Sequence, residues 1–369
     1  MGIQASIAPI AETQPLKDGA GYSAVILSSP AEIRGLKSGI SRLTPQSIVL
    51  LTPEFFLGSL TKGWRPRVVA VRNGTELAGV VYAKERIVSG VRLGVTFADL
   101  TFGTLLFGEP VQRENAFRVA LETLLASPET RGIRLRIRRG GPELVAVRKL
   151  IDSTRLDVRV SRVKDHACLS LPGTYEQLLL RFGGATRHNF RRYRSRFEAA
   201  GHAYVERLSP AELYAAASYL VPKCSKPARS RSMERPLKMV AAADRPLAMG
   251  LKHRNGQWMS VVAGVHQGDV AVLLLQLNND QDFPRDSLSV VLRAYVIETL
   301  IRQGVKELIF WAGTAPPLSH YVTYIPTLGI HLDRPDSKWR FMRRSVSRFG
   351  PWLPKHLRAD AQWIAPFSA

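Results

Sequence analysis

The sequence predicts an α+β (α/β) chain built from two tandem domains that share one internal order of strands and helix. Its 369 residues exceed what one ordinary hydrophobic core organises. Hydrophobic residues make up 45% of the chain and charged residues 22%, within the range of globular domains. Several short words of the first half also return in the same order about 180 residues later, which indicates an internal repeat.

A hairpin signal opens each copy of the repeat. In the first half, Arg72-Asn73-Gly74 separates the apolar run VVAV from a run that contains Ala78-Gly79-Val80. In the second half, Arg254-Asn255-Gly256 separates LAMGL from a run that contains Ala263-Gly264-Val265. An Asn-Gly pair between strand-like runs favours a tight turn, because these residues tolerate the positive φ that a type I′ turn needs. We therefore expect a hairpin at each place.

A helix and a further strand follow each hairpin. Both helices end near the word ETL, at 122–124 and 298–300, and strand-like runs follow at 133–138 and 307–312. The second helix has apolar residues at the i, i+3, i+4 and i+7 spacing, at Leu288, Val291, Leu292 and Tyr295. We expect Asp286 to cap this helix and Gly304 to end it.

The repeat and the composition divide the chain. We expect a loose N-terminal extension at 1–20, an N-terminal domain at 21–165 and a C-terminal domain at 166–369. The segment 222–236 is rich in Pro, Ser and basic residues, which is typical of a loop.

Several protein classes are not expected. Two cysteines, Cys168 and Cys224, without a CxxC spacing argue against a disulfide scaffold or a zinc site, and we expect no metal. No run approaches the ~20 apolar residues that cross a bilayer. The N-terminus lacks the basic and apolar blocks of a signal peptide. We expect a cytoplasmic protein, with peripheral attachment to a membrane left open.

Positive charge dominates the sequence. Lys and Arg number 52 against 30 Asp and Glu, which gives a net charge of +22. The excess favours an anionic partner: RNA, DNA, a phosphate-bearing cofactor, an anionic lipid or an acidic polysaccharide. Charge does not rank these partners, and a composition bias of the whole genome would produce the same excess.

Basic side chains are concentrated in particular segments. A predicted helix at 186–200 carries Arg187, Arg191 and Arg194 at the i, i+4, i+7 spacing, and we select them as candidate substrate-binding residues. The alternative is a solvated basic face. In the strand at 133–138, the alternation of Arg134, Arg136 and Arg138 predicts a face that points outward.

A second basic run occupies 338–358. It contains seven Lys or Arg and no Asp or Glu, interleaved with Trp339, Phe341, Phe349 and Trp352. Such a mixture suits a membrane surface or single-stranded nucleic acid, and it equally suits a C-terminal helix packed by its aromatic rings.

Three passages resemble a known group of enzymes. They are 174–201 (TYEQLLLRFGGATRHNFRRYRSRFEAAG), the strand pair around Gly264, and 283–313 (FPRDSLSVVLRAYVIETLIRQGVKELIFWAG). They resemble the BioF2-like and CelD-like acetyltransferases of the GNAT superfamily and, more distantly, the FemABX peptidyltransferases. The resemblance implies two tandem GNAT-like domains that move an acyl group from acyl-CoA (acetyl-CoA) to an amine or hydroxyl; the FemABX branch instead uses aminoacyl-tRNA.

The resemblance also implies where the donor binds. GNAT domains hold the pyrophosphate of coenzyme A at a helix N-terminus, with the signature Gln/Arg-x-x-Gly-x-Gly/Ala. Arg285, Asp286 and Ser287 stand at this place, but both glycines are absent, as they are near 112–117 in the first half. We select these three residues as the candidate cofactor site. The alternative is that Asp286 and Ser287 only cap a structural helix.

The candidate catalytic residues follow the strand at 307–312. Direct acylation of an amine needs a group that takes a proton and a group that stabilises the oxyanion, without a covalent intermediate. His320 and Tyr321 stand where members of the family often have a Tyr-Lys pair, and the lysine is missing here. The alternative is that both are packed structural residues.

The sequence therefore predicts an N-acyltransferase (acetyltransferase) of the GNAT superfamily, in polysaccharide or envelope metabolism, with acyl-CoA and an unknown acceptor as partners. Two alternatives stay open. One is a FemABX-like transferase that uses aminoacyl-tRNA. The other is a non-catalytic protein of degenerate GNAT halves that binds RNA or an anionic membrane.

Overall fold

A computed structural model describes residues 16–17, 21–43, 52–88, 90–101, 105–224, 230–311, 313–353 and 358. Most of the predicted extension at 1–20 lies outside these residues. Its described part is a short strand that pairs with the next one along the chain.

The first half forms two sheets with helices packed against them. Its strands are β1 (Leu16–Lys17), β2 (Tyr22–Leu27), β3 (Trp64–Pro66), β4 (Val68–Asn73), β5 (Glu76–Val81), β6 (Lys84–Val88), β7 (Val91–Leu100), β8 (Leu105–Leu106), β9 (Gly132–Arg138) and β10 (Asp157–Arg162). Its helices are α1 (Pro30–Gly35), α2 (Lys37–Leu43), α3 (Pro53–Gly58), α4 (Pro110–Ala126) and α5 (Pro142–Ser153). One sheet has the order β1-β2-β4-β5-β8.

The second half forms a third sheet and completes the second one. Its strands are β11 (His166–Ser170), β12 (Ala203–Val205), β13 (Pro246–Lys252), β14 (Trp258–Gln267), β15 (Val270–Asn278), β16 (Glu307–Phe310), β17 (Thr323–Ile325) and β18 (Thr327–Asp333). Its helices are α6 (Tyr175–Arg181), α7 (Gly184–Ala199), α8 (Pro210–Leu220), α9 (Ser230–Ala241), α10 (Leu288–Arg302) and α11 (Ser337–Phe349). Short 3₁₀ segments occur at Val221–Lys223, Leu318–His320 and Gly350–Trp352. The sheet orders are β12-β13-β14-β15-β16-β11-β17 and β10-β18-β9-β7-β6-β3.

The predicted repeat is confirmed. The β4–β5 and β13–β14 hairpins occupy corresponding places, and in each half a helix then leads to a parallel strand, with β9 beside β7 and β16 beside β15. In the first hairpin the turn residues differ from the prediction. Asn73 pairs with Glu76 in the β4–β5 ladder, so the turn falls at 74–75, one residue later than expected. Gly74 and Gly256 have φ of +60° and +87°, so both turns need glycine for the predicted reason.

Helices cover both faces of the third sheet. Helices α6, α7 and α10 pack on one face, where Val262 belongs to their core, and α8 and α9 pack on the other, where Val261 is buried. Burial on two faces explains why β14 and β15 are nearly continuous apolar runs rather than alternating ones.

The C-terminal strand β18 crosses back to the first half. It lies between β9 and β10, with Ile330 opposite Leu135 on one side and Val160 on the other. Ile330 and Leu332 are buried in the core of the first half. The division at 165/166 stays a prediction, but sheet membership does not follow it at the C-terminal end.

The outward orientation predicted for the β9 arginines is wrong at Arg134. Its side chain is 3% exposed and pairs with Asp333 of β18 at 2.8 Å. Arg136 pairs with Asp99 of β7 at 3.4 Å. This side of the sheet is covered by α11 and by the second half, and the carboxylates that compensate the arginines come from neighbouring strands.

The predicted loop at 222–236 is partly wrong. Helix α9 begins at Ser230 and includes Pro236, while 225–229 lie outside the described residues. The error matters because α9 lies at the junction between the halves.

Candidate functional site

The two halves meet where α3 contacts α9. A Cβ on Gly58 of α3 would lie 2.8 Å from Cβ of Ala242 and 2.9 Å from the carbonyl oxygen of Lys238, so this approach needs glycine. Phe55 of α3 is buried beside Met239 of α9 in a cluster that the third sheet completes. The junction is therefore a packed interface with an apolar wall.

A pocket opens beside this interface. Its lining comes from both halves: Phe55, Phe56, Ser59, Tyr82, Lys84, Phe97 and Asp99 from the first, and Arg235, Met239 and Trp311 from the second. The cavity volume is about 70 Å³. Since a water needs only ~10–15 Å³ on this measure, the pocket admits a small chemical group but not a whole nucleotide cofactor.

Lys84 is the lysine of this pocket. It begins β6 and is 5% exposed. Burial and the nearby Arg235 guanidinium lower the pKa of Lys84 to about 7, while Asp99 opposes them. The ammonium also lies 4.6 Å from the centre of the Trp64 ring. Near neutral pH this amine is populated in both its neutral and its charged form, which is what a group that accepts and returns a proton requires.

The pocket has an excess of positive charge. Asp99 is its carboxylate, and it is already engaged by Arg136 at 3.4 Å and by the Thr101 hydroxyl at 2.5 Å. Burial lowers the pKa of Arg235, and the buried Nε atoms of Arg235 and Arg136 have no hydrogen-bond partner among the described residues. Because unpaired buried donors are costly, this arrangement favours an anionic ligand.

Neutral polar groups complete the wall. The Tyr82 ring stacks on Phe56 at 4.9 Å, and its hydroxyl is buried with no partner in the described part of the chain. Burial raises the pKa of Tyr82, so it remains a protonated donor. Trp311 packs edge-on against His166 at 5.1 Å, and burial lowers the pKa of that imidazole. The Tyr82 phenol and the His166 imidazole are therefore both uncharged at neutral pH.

Strands β15 and β16 part beside the pocket. Their parallel pairing ends at Leu273 and Phe310, and Leu274 is an extra residue that forms a bulge opposite Gly264. A Cβ on Gly264 would lie 2.1 Å from the Val272 carbonyl oxygen, so only glycine fits there. The N–H of Trp311 donates to the Leu273 carbonyl at 3.0 Å, which attaches a pocket residue to the point where the strands part.

A half-buried arginine lies on the α10 side of the same strands. Arg293 donates from Nε to Oε1 of Gln276 at 3.1 Å, and its guanidinium is 5.4 Å from the Phe310 ring. Burial lowers the pKa of Arg293 to about 10. Its described partner is a neutral amide, so an anionic group would be a better partner for it.

The candidate cofactor residues lie at the N-terminus of α10. Arg285 is exposed, and Ser287 has φ of +47° and provides no side-chain cap. The prediction that Asp286 caps the helix is wrong, because its carboxylate pairs with Arg196 of α7 at 3.2 Å. This pairing offsets a negative charge that would otherwise oppose an anion at the helix end.

The N-terminus of the corresponding helix in the first half is already capped by side chains. Glu109 and Gln112 form a capping box at the N-terminus of α4. An acidic residue at this position disfavours a second anion. Of the two helix ends, that of α10 is therefore the one suited to an anionic donor.

The candidate catalytic residues His320 and Tyr321 do not line the pocket. His320 is exposed in a 3₁₀ segment. The Tyr321 hydroxyl accepts from the Gly183 N–H at 2.9 Å and lies 3.3 Å from the Thr186 hydroxyl. Tyr321 thus holds the N-terminus of α7, and its catalytic role stays a prediction.

The predicted basic helix is α7, which carries the candidate substrate-binding residues Arg187, Arg191 and Arg194. Two of them have carboxylate partners: Arg191 pairs with Glu176 at 2.6 Å, and Arg194 pairs with Glu198 at 2.9 Å and Glu298 at 2.7 Å. Two of these carboxylates come from α6 and α10, so the sequence of α7 alone overstates its free positive charge. Substrate binding by this helix stays a prediction.

Two absences concern only the residues that the structure describes. Clusters of three or more His, Cys, Asp or Glu placed to hold a metal ion were not found among them. Nor does any helix in this part of the chain combine the length and apolar character needed to cross a membrane.

Sequence reasoning missed the pocket residues. Lys84 directly follows an apolar stretch at 78–83, a signal that the sequence does contain. Arg235 was assigned to a loop, and Asp99 lies at the end of an ordinary strand. The pairing of β6 with β7 brings Lys84 near Asp99, and the packing of the halves adds Arg235.

Known structures share this fold. No protein-family model and no curated protein matches the sequence. The structure of FemX has a TM-score of 0.57 and 11% identity, covering 83% of this chain and 96% of that one. The C-terminal domain of a putative lysylphosphatidylglycerol synthetase from Agrobacterium fabrum has a TM-score of 0.53 and 12% identity, covering 86% of this chain and 97% of that one. L-PGS from Bacillus licheniformis has a TM-score of 0.53 and 11% identity, covering 84% of this chain and 93% of that one.

The fold-class prediction, α+β with two tandem GNAT-like domains, is confirmed. The resemblance to FemABX proteins is confirmed at the level of the fold.

Proposed function

We propose that this chain is a transferase that moves an acyl or aminoacyl group from a donor on the second half to an acceptor in the pocket between the halves. The observation that carries the proposal is Lys84, a buried lysine with a pKa of about 7 in a pocket that both halves line. Buried lysines tuned to this range are typical of proton-transfer sites.

The donor occupies the α10 side of the second half. The uncapped N-terminus of α10, with Arg285 and Ser287, faces the anionic part of the donor, and Arg293 binds a further anionic group. The reactive carbonyl then reaches the pocket where β15 and β16 part, beside Trp311. Acyl-CoA and aminoacyl-tRNA both carry phosphates as well as such a carbonyl, so both suit this arrangement.

The reaction needs a single displacement. Neutral Lys84 takes a proton from the acceptor amine or hydroxyl, which attacks the donor carbonyl carbon. The negative charge on the carbonyl oxygen is stabilised by the Arg235 guanidinium, whose buried Nε has no hydrogen-bond partner among the described residues. Collapse of the tetrahedral intermediate breaks the bond to the thiol or ribose oxygen, and this leaving group receives the proton from Lys84.

The acceptor carries an anionic group next to its nucleophile. The guanidinium groups of Arg136 and Arg235, set against the carboxylate of Asp99, support this assignment. One of the similar structures is the C-terminal domain of a putative lysylphosphatidylglycerol synthetase, a name that refers to a lysine-bearing phospholipid. An anionic envelope lipid or polysaccharide is therefore the acceptor class that we propose. We also propose that the chain is related to the BioF2-like and CelD-like acetyltransferases.

Donor binding tests the first step. We would measure thermal shifts of the full chain with acetyl-CoA, longer acyl-CoAs, free CoA, aminoacyl-tRNA and uncharged tRNA, because a ligand of the folded state raises its stability. One donor class should stabilise the wild type, and Arg293→Gln should weaken that donor by about tenfold, as expected for a lost charge-assisted contact. Arg254→Gln, in the exposed β13–β14 loop, is the matched control.

Two outcomes would contradict the proposal. The first is that none of these donors stabilises the protein. The second is binding of RNA or anionic lipid alone with no effect of any donor, which would favour the non-catalytic alternative that the missing glycines near 288–290 support.

A further inference from the structure

Helix α11 is fastened to the first half by its inner face. Trp339 is 1% exposed, and its indole Nε1 donates to Oδ1 of Asp333 at 3.0 Å. Arg343, one turn further, pairs with Asp333 at 2.7 Å and also with Asp157 of β10. These contacts fix the rotation of the helix about its axis, and thus decide which residues point away from the protein.

The outer face combines aromatic rings and cations. Phe341 is 74% exposed, and Phe349 and Trp352 at the C-terminal end of the helix are 56% and 84% exposed. The cations of this surface are also exposed: Lys338, Arg340, Arg344 and Arg348. No Asp or Glu occurs at 337–358.

Large aromatic side chains are rarely this exposed in a group on a protein surface that faces water. Such side chains are more stable when an apolar partner removes them from water. The same helix buries Trp339 against the rest of the fold, whereas Phe341, Phe349 and Trp352 have no such contact surface in the described part of the chain. Phe341, Arg344 and Arg348 lie at the i, i+3, i+7 spacing and therefore share one face of the helix. A line of rings between cations is the pattern of a helix that lies in the plane of a membrane interface.

We infer that the outer face of α11, extended by Trp352, is a docking surface for an anionic lipid bilayer. The rings enter the boundary between headgroups and acyl chains, and the four cations contact lipid phosphates. The convex shape of a single helix favours a flat bilayer over single-stranded RNA, since RNA binding of this type uses a charged groove with stacking platforms along it. The helix that carries this surface is anchored through Asp157 and Asp333 to the sheet of the first half.

Vesicle binding of the full chain tests this inference. We expect the protein to cosediment with vesicles of phosphatidylglycerol and phosphatidylcholine, more weakly with phosphatidylcholine alone, and less at high salt because screening weakens the charge contacts. The fluorescence of Trp352 should shift to the blue on binding, and Trp352→Phe should remove that shift.

Paired variants separate the two contributions. Phe341→Ser with Trp352→Ser should lower the partition coefficient by about tenfold or more, since two rings no longer leave water. Arg344→Gln with Arg348→Gln should remove the preference for phosphatidylglycerol. Val111→Ser with Leu180→Ser, which changes similarly exposed apolar side chains on α4 and α6, should bind as the wild type does. Unchanged thermal unfolding would show that the variants fold.

Three results would overturn the inference. They are no vesicle binding by the wild type, vesicle binding that persists unchanged in Phe341→Ser with Trp352→Ser, and binding of single-stranded RNA or of a second copy of the chain in place of vesicles. The assay contains no donor or acceptor, so its failure is distinct from failure of the proposed transferase activity.

Discussion

Asp333 and Arg134 form a buried ion pair at 2.8 Å, although 199 residues separate them in the sequence. The Asp333 carboxylate is shared with Arg343 and with the Trp339 indole, so one side chain connects β18, β9 and α11. It holds the C-terminal strand in the sheet of the first half and orients the helix that follows. The Asp333 carboxylate therefore links the C-terminal strand and helix to the sheet of the first half.

Replacement of this carboxylate should be strongly destabilising. Asp333→Asn removes the charge opposite two guanidinium groups, and breaking a buried pair on one side costs about 3–5 kcal/mol. We expect the free energy of unfolding in urea to fall by about 3 kcal/mol. Asp152→Asn, at an exposed position near the end of α5, is the matched control and should change it by less than about 0.5 kcal/mol. A small effect at Asp333 would show that the cluster contributes little to stability.

The stability of the protein should report the ionisation of Lys84. Its pKa is lowered to about 7 in the folded state from the model-peptide value of 10.5, so the unfolded chain binds more protons between these values. Stability should therefore rise with pH through this window. Relative to Lys84→Met, the wild type should gain about 2 kcal/mol between pH 7.5 and pH 9, measured by urea unfolding at each pH.

A matched change on the surface controls this measurement. Lys62→Met removes an exposed lysine from the α3–β3 connection and should leave the pH dependence unchanged. Parallel pH profiles of the wild type and Lys84→Met would mean that Lys84 keeps its ordinary pKa, and the proton-transfer role would then lose its support.

Gly264 should not accept a side chain. An alanine Cβ would lie 2.1 Å from the Val272 carbonyl oxygen, so the bulge in β15 would have to move. Gly264→Ala should lower the free energy of unfolding by about 1–3 kcal/mol, as overpacking does, and it should also disturb donor binding. Gly184→Ala at the start of α7 meets no neighbouring atom within 4 Å and is the matched control for thermal unfolding. Wild-type stability in Gly264→Ala would contradict the close approach.

Local signals made the repeated framework predictable. The hairpins, the helices that end near the ETL words and the strands that follow them depend on turn glycines and on apolar spacing within a few residues. The basic helix α7 was predictable for the same reason, whereas a helix was one of several interpretations of the run that forms α11. What these helices contact was not, because Glu176 and Glu298 reach α7 from other elements.

The sequence by itself determined two repeated α+β halves, the large positive charge and the basic, aromatic run at 338–358, since composition and periodicity are properties of the chain. Only the tertiary structure decided that β18 returns to the first sheet, that Asp286 pairs with Arg196, and that Lys84 and Arg235 share one pocket. The physical reason is that burial and electrostatic compensation depend on distances between atoms far apart in sequence. The pKa of Lys84 falls to about 7 because the folded chain buries the side chain and places Arg235 nearby.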